Sequence, residues 1–402
     1  MSIDRSVRLP RIAHIITDLN GFGGTEITLL RYLKKSGIPS EYHRIFVLKT
    51  IGCGDTLGSQ MVKAGFSVVE FNLKKGITTI SGLRNVYREI RKFKPDLISG
   101  WLYFPSFLAT FFAPFMKSRP SVIWHVRSLP VYFSEIFKTP GRYIAQRVLA
   151  VLSHVTEPLI ISNSSKAIHE HVALGFNASV NRQIVIPNGI DLSEYYPCRV
   201  EGRIVRSELG IPANAILIGS IGRFVPEKGY PEFFEALNIA LRKLRPELSQ
   251  RVHFLGAGNG VCSTNALFNG IASASLGRDR LHLLGMRVDV PRLLRALDFF
   301  VLSSINDAFP NSLIEAMSTG LACIATDVGQ CNEVLNNQDC LVPSSDAVKL
   351  ANCIIKLVEM SDSERHSLGA DNRERIAKHY ELSKMVSRFD EVFCDAAGGV
   401  NR

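Results

Sequence analysis

The chain of 402 residues is too long for one ordinary hydrophobic core and indicates two domains of roughly 150 to 200 residues each. With 46% hydrophobic and 21% charged residues it has a globular composition, which excludes disordered and fibrous chains. The net charge of +10 resides in the first half: residues 1–190 carry 24 Lys and Arg against 11 Asp and Glu, and the rest carries 23 against 26. A basic first half indicates nucleic acid, an anionic membrane, an anionic substrate or only a solvated surface.

The N-terminal segment and the cysteines give expectations about the compartment. Asp4, Arg5, Arg8 and Arg11 precede the first hydrophobic run, so we expect no signal peptide. The eight cysteines are scattered without a C-x-x-C pair, which is typical of a reduced compartment. We therefore expect a cytoplasmic location, with association at the inner face of the membrane as an alternative.

In the first half, short β-branched runs alternate with amphipathic stretches. The run 11–17 is followed by a glycine-rich turn and by Ile27, Leu30 and Leu33 at helical spacing, which predicts a βα unit. Further strands are predicted at 44–48, 67–71, 96–99, 122–126 and 159–162. This alternation predicts a doubly wound parallel sheet.

Residues 101–116 contain no charged side chain. The run is shorter than the roughly 20 residues that a membrane-spanning helix needs. We favour a buried βα segment after the strand that ends at Ser99. A surface that dips into a membrane is the alternative, because this half of the chain is basic.

The turn-forming run Pro187-Asn-Gly-Ile-Asp191 predicts the domain boundary. We expect a first domain at 1–190, a second at 191–379, and a C-terminal helix within 380–402 that packs back on the first domain. Strands of the second domain are predicted at 215–221, 252–255, 281–284, 299–302 and 323–325. The C-terminal helix is indicated by Met385, Phe389 and Val392 at helical spacing.

Two cations follow the first predicted strand of the second domain, in the loop Arg223-Phe-Val-Pro-Glu-Lys228. Open α/β sheets bind ligands at the carboxyl ends of their strands. A forked guanidinium and a point-charge ammonium would stabilise the nucleoside diphosphate that leaves when a sugar is transferred. The alternative is a solvated basic loop, since Arg and Lys are common in loops.

The segment 306–320 predicts a helix that begins at Pro310 and Asn311 and ends at Gly320. Backbone amides of Asn311, Ser312 and Leu313 at its start would bind phosphate. One turn later, Glu315 would accept two hydrogen bonds from a ribose diol, or else it is an ordinary exposed helix residue.

These residues resemble family 4 of the retaining glycosyltransferases, glycosyl transferases group 1, whose mark is two acids separated by seven residues, here Asp307 and Glu315. Four further segments resemble other motifs of the family: the Arg223–Lys228 loop, the run 318–329, the glycine turn 21–26 and the segment 186–191. The resemblance covers nearly the whole chain. It implies the GT-B fold, with two facing Rossmann-like parallel-sheet domains and a C-terminal helix that crosses back to the first.

The resemblance also implies roles for the site residues. Arg223 and Lys228 correspond to the diphosphate clamp, Glu315 to the ribose ligand and Asp307 to the acid near the transferred sugar. The implied donor site further includes Gly23, Gly24, Leu284, Gly285, Phe309, Pro310, Asn311, Ser312 and Leu313, with the base near 284–286. Asp307 stands where Glu is commoner, which withdraws the carboxylate by one methylene, and Gln330 stands where Gly is commoner.

Relatives often place a histidine or an arginine near the reacting sugar at the end of the strand 122–126. His125 and Arg127 both match. A neutral histidine would accept a hydrogen bond from a sugar hydroxyl, whereas arginine would add positive charge beside the phosphate. An ordinary buried strand histidine is the alternative reading of His125.

The sequence and the resemblance together predict a retaining hexosyltransferase that uses a nucleotide-sugar donor, most commonly UDP-linked in this family. The expected acceptor is a glycan or a polyprenyl-linked sugar in cell-surface polysaccharide synthesis. We expect no metal, since no ligand-spaced carboxylate or His/Cys cluster stands near the site, no organic cofactor and no nucleic acid. The alternatives are another nucleotide-sugar enzyme such as an epimerase, or a non-catalytic protein that binds membrane or nucleic acid.

Overall fold

The computed structural model describes residues 8–21, 23–73, 79–130, 140–177, 179–274 and 278–398. Phe22 of the glycine turn, Asp4 and Arg5 lie outside these ranges. The chain divides into two compact units, Met1–Gly189 with Leu382–Arg402, and Ile190–Glu381. We call them the first and the second domain.

The first domain is built on a seven-stranded sheet in the order β3-β2-β1-β4-β5-β6-β7, and every neighbouring pair is parallel. The strands are β1 (Ile12–Ile16), β2 (His43–Val47), β3 (Ser67–Glu70), β4 (Leu97–Trp101), β5 (Ser121–Val126), β6 (Leu159–Ser162) and β7 (Gln183–Val185). The helices are α1 (Gly24–Lys35), α2 (Leu57–Lys63), α3 (Ile80–Phe93), α4 (Tyr103–Phe112), α5 (Pro140–Thr156) and α6 (Ser165–Ala173). The central strands are buried on both faces, as their continuous apolar runs require.

The second domain repeats this plan with six parallel strands in the order β10-β9-β8-β11-β12-β13. The helices that precede the sheet or connect its strands are α7 (Arg199–Glu208), α8 (Tyr230–Lys243), α9 (Pro246–Ser249), α10 (Ala266–Ser273), α11 (Val290–Leu294), α12 (Asn311–Ser318) and α13 (Cys331–Leu335), and α14 (Ala347–Glu359) and α15 (Asp362–His379) follow the last strand. The strands are β8 (Ile216–Ile221), β9 (Val252–Ala257), β10 (Leu281–Leu283), β11 (Phe299–Leu302), β12 (Ala322–Thr326) and β13 (Leu341–Val342).

The last helix, α16 (Leu382–Gly398), belongs to the first domain. Its apolar face, including Met385, Phe389 and Phe393, joins the core formed by α1, α2 and one side of the sheet. Its Asp390 accepts hydrogen bonds from Tyr32 Oη at 2.8 Å and Ser36 Oγ at 2.7 Å. The return of this helix to the first domain confirms the prediction.

The prediction of two doubly wound parallel sheets is confirmed, and every predicted strand is present within about two residues. The sequence analysis missed β7 and β13, which have three and two residues at the sheet edges. Such short strands leave no readable alternation of apolar and polar residues.

The uncharged run 101–116 forms the end of β4, then α4, and then a short 3-10 turn, Ala113–Phe115. The favoured βα interpretation is therefore right for most of the run, although Phe111 and Phe115 are exposed. Within the described ranges, no helix has both the length and the apolar character that crossing a bilayer requires.

Candidate functional site

The predicted cations of the second domain lie in the loop between β8 and α8. Arg223 is exposed, and its side chain has no ion-pair partner within the described residues. Lys228 ends a short 3-10 turn, Pro226–Lys228. Its Nζ lies 2.6 Å from Oδ2 of Asp307, which is on the loop after β11. Both side chains of this ion pair are partly buried. The sheet thus brings together two predicted site residues that are 79 positions apart in the sequence.

Backbone hydrogen bonds join these two loops. The amides of Ile305 and Asn306 donate to the carbonyl of Glu227 at 2.8 and 3.2 Å. In the other direction, Ser303 Oγ donates to the carbonyl of Lys228 at 3.0 Å. The Lys228–Asp307 pair therefore rests on a fixed backbone and is not a chance encounter of two surface side chains.

Glycines allow two further loops to approach this cluster. Gly329, with φ of 54°, lies so close to Asp307 that a Cβ would stand 1.9 Å from the Asp307 carbonyl oxygen. Gly258, after β9, would collide in the same way with the carbonyl of Gly222. Positive φ values and backbone contacts of this kind exclude a side chain. The run Gly256-Ala-Gly-Asn-Gly260 after a strand was a readable signal that the sequence analysis did not use.

Helix α12 begins after Pro310 and ends just before Gly320, as predicted. The side chains of Phe309 and Leu313 are buried in the hydrophobic core, so neither side chain is exposed to bind a ligand. Glu315 is half-buried on the first turns of the helix.

The first amides of this helix differ in their hydrogen bonds. The amide of Asn311 donates to the Phe309 carbonyl at 3.0 Å, and that of Leu313 donates to the Pro310 carbonyl at 3.1 Å. Of the three amides predicted to bind phosphate, only that of Ser312 is free of a backbone acceptor within the described residues. A tight turn at the helix start uses the other two.

Leu284 and Gly285 follow β10 at the same edge of the sheet. Gly285 donates its amide to Val261 and accepts from the amide of Gly258 at 2.7 Å. Both of its backbone polar groups are therefore engaged within the domain, which limits its part in binding a base.

In the first domain, His125 and Arg127 have different surroundings. His125 on β5 is fully buried: its ring stacks on Trp101 with centroids 3.9 Å apart, and its Nε2 lies 2.8 Å from Ser99 Oγ. Burial, helped by the nearby charge of Arg127, lowers the pKa of His125 well below its usual range. His125 is thus a neutral core residue behind Trp101.

Arg127 lies just beyond the end of β5, near the start of α1. Its Nη2 donates to Asn188 and, at 3.2 Å, to Thr28, while Nε and Nη1 are buried without a hydrogen-bond partner in the described chain. Burial lowers the pKa of Arg127 to about 9, and the charge of Glu26 acts in the opposite direction. The sequence analysis missed the partners Thr28 and Asn188, although Asn188 lies in the turn that marked the domain boundary.

The glycine turn ends at α1, with Gly23 as the residue before the helix. The carboxylate of Glu26 folds back over it, because a Cβ on Gly23 would stand 2.2 Å from Glu26 Oε2. An anion bound at this helix start would take the place of that carboxylate. Gly24 is the first residue of the helix, and its carbonyl accepts from Thr28 Oγ1 at 2.7 Å.

The described residues contain no group of three or more His, Cys, Asp or Glu side chains placed to hold a metal ion. The candidate residues form two groups, one in each domain. One, in the second domain, comprises the β8, β11 and β12 loops and the start of α12. The other, in the first domain, comprises the glycine turn, Arg127 and Asn188.

Family profiles match most of the chain. The profile described as Glycosyltransferase Family 4 matches residues 23–194, and that described as Glycosyl transferases group 1 matches residues 215–360. The chain belongs to the family 4, group 1 glycosyl transferases. The two matched ranges of this family 4 chain contain every candidate residue described above.

Two curated relatives and one solved structure illustrate the likeness of this family 4 chain. An Escherichia coli UDP-Gal:alpha-D-GlcNAc-diphosphoundecaprenol alpha-1,3-galactosyltransferase is 28% identical over 52% of this chain and 54% of its own length. A Campylobacter jejuni N,N'-diacetylbacillosaminyl-diphospho-undecaprenol alpha-1,3-N-acetylgalactosaminyltransferase is 27% identical over 51% and 52%. The chain thus spans about half the length of the curated relatives it matches.

The Anabaena protein HepE, in complex with UDP-glucose, has a TM-score of 0.79 to this family 4 chain at 19% identity, over 96% of this chain and 99% of its own. At that identity the likeness concerns the fold. With the two parallel sheets described above, it confirms the predicted GT-B class.

Proposed function

We propose that this chain transfers a hexose from a UDP-linked donor to a hydroxyl group, with retention of the anomeric configuration. The observation that carries the proposal is the Lys228–Asp307 pair beside the exposed Arg223 at the carboxyl edge of the second sheet. The choice of UDP is supported by relatives: the E. coli protein is named for UDP-Gal, and HepE has been solved with UDP and with UDP-glucose.

Charge stabilisation is the main catalytic effect that we assign to this group. When the bond between sugar and diphosphate breaks, negative charge develops on the leaving phosphate. Arg223, Lys228 and the Ser312 amide at the start of α12 would stabilise that charge. Asp307 holds Lys228 in place and neutralises it while no donor is bound, so Arg223 supplies the uncompensated charge that attracts the donor.

The remaining donor groups have narrower roles. We assign Glu315 to the ribose diol and the segment 284–286 to the base. In the first domain, we assign Gly23, Gly24 and Arg127 to an anionic or hydroxyl group of a substrate. His125 acts through Trp101, against which it stacks, and is a supporting residue in this proposal.

For the acceptor, we propose a polyprenyl-linked sugar or glycan in cell-surface polysaccharide synthesis, reached at the inner face of a membrane. The names of the E. coli and C. jejuni relatives both specify a diphosphoundecaprenol-linked sugar. The acceptor hydroxyl of such a substrate lies at a lipid surface.

The test is release of nucleoside diphosphate from a panel of UDP-, GDP- and ADP-sugars by the wild type and by Lys228→Ala. We expect release from a UDP-sugar, and a fall of about 10² to 10³-fold in the variant, as for loss of one group that stabilises developing charge. The matched control is Lys243→Ala, an exposed lysine at the end of α8 in the same domain. Unchanged turnover in a folded Lys228→Ala protein would contradict the proposal.

A further inference from the structure

Four phenylalanines form a row along the outer side of α4 and the 3-10 turn that follows it. Phe104, Phe107, Phe111 and Phe115 share one helical face by their spacing. Neighbouring rings in the row have centroids 6.5, 6.1 and 5.8 Å apart. Phe111 and Phe115 are 55% and 65% exposed, so the domain leaves this end of the row uncovered.

Helix α5 continues the apolar surface. It packs on α4, where its Ala145 and Leu152 share a hydrophobic cluster with Phe107. Next to these two positions on the helical wheel runs a stripe of exposed side chains: Ile144, Val148, Val151 and Val155. Single exposed apolar residues are common, whereas a contiguous apolar patch marks a surface that binds something.

Cations border the phenylalanine row. Tyr87 on α3 contacts the ring of Phe112, and its hydroxyl donates to the carbonyl of Phe115 at 2.8 Å, so α3 runs along this edge. Arg84 and Arg91 lie one turn before and one turn after Tyr87 on the same side of α3.

In the part of the chain that the structure describes, these arginines lack acidic partners. The one acid on α3, Glu89, pairs with Arg88 and Lys92, and neither Arg84 nor Arg91 is in an ion pair within the described residues. Lys117 and Arg119, both exposed, follow directly after the row.

We propose that this surface, which we call the α4–α5 face, docks the first domain on an anionic lipid bilayer. Exposed aromatic rings bury themselves at the boundary between headgroups and acyl chains, and unpaired arginines beside them are attracted to anionic headgroups. The residues that carry this inference lie on the surface, outside the donor-binding group. The inference depends on the proposed function in one respect, since a lipid-linked acceptor is the reason for the enzyme to bind a membrane.

A second copy of the chain is the competing occupant of the α4–α5 face. A twofold dimer through this face would set its cationic border against α4 and α5 of the partner copy, and these helices carry no acidic residue while α5 carries Arg142 and Arg147. The first half of the chain already carries 24 basic against 11 acidic residues, so such a contact brings like charges together. Anionic headgroups meet the same cations with attraction, which favours a lipid surface.

The test is sedimentation of the full chain with phosphatidylcholine vesicles, with and without phosphatidylglycerol. We expect binding that requires phosphatidylglycerol and weakens with salt. The double variant Phe111→Ser/Phe115→Ser should lose at least about tenfold in partitioning, because two large apolar side chains no longer insert. Arg84→Glu/Arg91→Glu, which changes only exposed positions, should lose binding to the anionic vesicles by a similar factor.

Matched controls come from the second domain. Val200 and Leu267 are 69% and 66% exposed, so Val200→Ser/Leu267→Ser removes as much exposed apolar surface elsewhere. Arg199→Glu/Arg203→Glu reverses two exposed arginines on α7. Both control variants should partition like the wild type.

Equal partitioning of the phenylalanine and control variants overturns the proposal. It is also overturned if Phe111→Ser/Phe115→Ser converts a dimer to a monomer in sedimentation velocity while vesicle binding stays unchanged, since a second copy then covers the face. Nucleoside diphosphate release in vesicle-free buffer should be normal in the phenylalanine variant, and vesicle binding should be normal in Lys228→Ala. These two readouts separate failure of this inference from failure of the proposed function.

Discussion

The two domains place their candidate cations in opposite surroundings, although both cations follow the carboxyl end of a strand, β8 for Arg223 and β5 for Arg127. In the second domain, Arg223 is exposed and Lys228 is paired with Asp307 near solvent. In the first domain, Arg127 is 6% exposed, and two of its guanidinium nitrogens have no partner in the described chain. A solvated charge exchanges partners at little cost, whereas a buried one cannot be left unpaired without a penalty. The cations of the second domain are therefore suited to exchange partners when a ligand binds and leaves. Arg127 of the first domain is suited to hold a fixed position in which a ligand could bind its unpartnered nitrogens.

Replacing each arginine by methionine gives the largest expected effect and tests this contrast directly. We expect Arg223→Met and Arg127→Met each to reduce sugar transfer by about a hundredfold. Arg223→Met should lower the free energy of unfolding by less than about 1 kcal/mol, because Arg223 is exposed. Arg127→Met should lower it by about 1 to 3 kcal/mol, because it removes the donor to buried Thr28 and Asn188. The measurements are kcat/KM and urea unfolding.

Lysine variants separate charge from shape in the same comparison. Arg223→Lys keeps an exposed point charge and should retain most activity. Arg127→Lys removes Nε and Nη1, the two buried donors that have no partner in the described residues, and should not retain it. If Arg127→Met instead unfolds the first domain by several kcal/mol, Arg127 is a structural residue and its assignment to a substrate is wrong.

Acid should lower the free energy of unfolding of the first domain. Burial lowers the pKa of His43 to about 4, and it lowers the pKa of His14 and of His125 well below the usual range. An unfolded histidine titrates near pH 6.5, so the unfolded state takes up protons first. The contribution to stability is complete above about pH 6.5 and is lost as the pH falls toward about 4. For His43 alone it amounts to roughly 3 kcal/mol.

Tryptophan fluorescence during urea unfolding reports this loss, because both tryptophans, Trp101 and Trp124, are buried in the first domain. His43→Gln should flatten the pH dependence between about pH 6.5 and 4. The matched control is His282→Gln at the edge of the second sheet, which should leave the tryptophan-detected dependence as it is. A slope that is identical in all three proteins would refute the assignment to His43.

Two glycine substitutions give the smallest expected effect and compare the loops themselves. Gly329→Ala combines a positive φ with a collision against the backbone of Asp307 and should cost about 2 kcal/mol. Gly23→Ala has an extended φ of −80° and meets only the flexible carboxylate of Glu26, so it should cost less than about 1 kcal/mol. Chemical unfolding followed by circular dichroism measures both. Equal losses would show that the two loops are equally rigid.

Much of the fold could be predicted because its signals are local. A buried parallel strand is a continuous apolar run, and Pro310 and Gly320 bracket α12 whatever surrounds it. The edge strands β7 and β13 were missed because two or three residues carry no period. The acceptors of the Asn311 and Leu313 amides could not be predicted, since they depend on backbone geometry that no motif specifies.

The family, the doubly wound sheets and the charged residues near the strand ends could all be predicted from the amino-acid sequence, because motif spacing and apolar periodicity are properties of neighbouring residues. The tertiary structure decided which charges are paired, which are buried and which apolar rings stay exposed. Lys228 meets Asp307 across 79 positions, and Arg127 meets Asn188 across 61. Solvation and partners set the chemistry of a charge, and both come from residues that only the folded chain brings together.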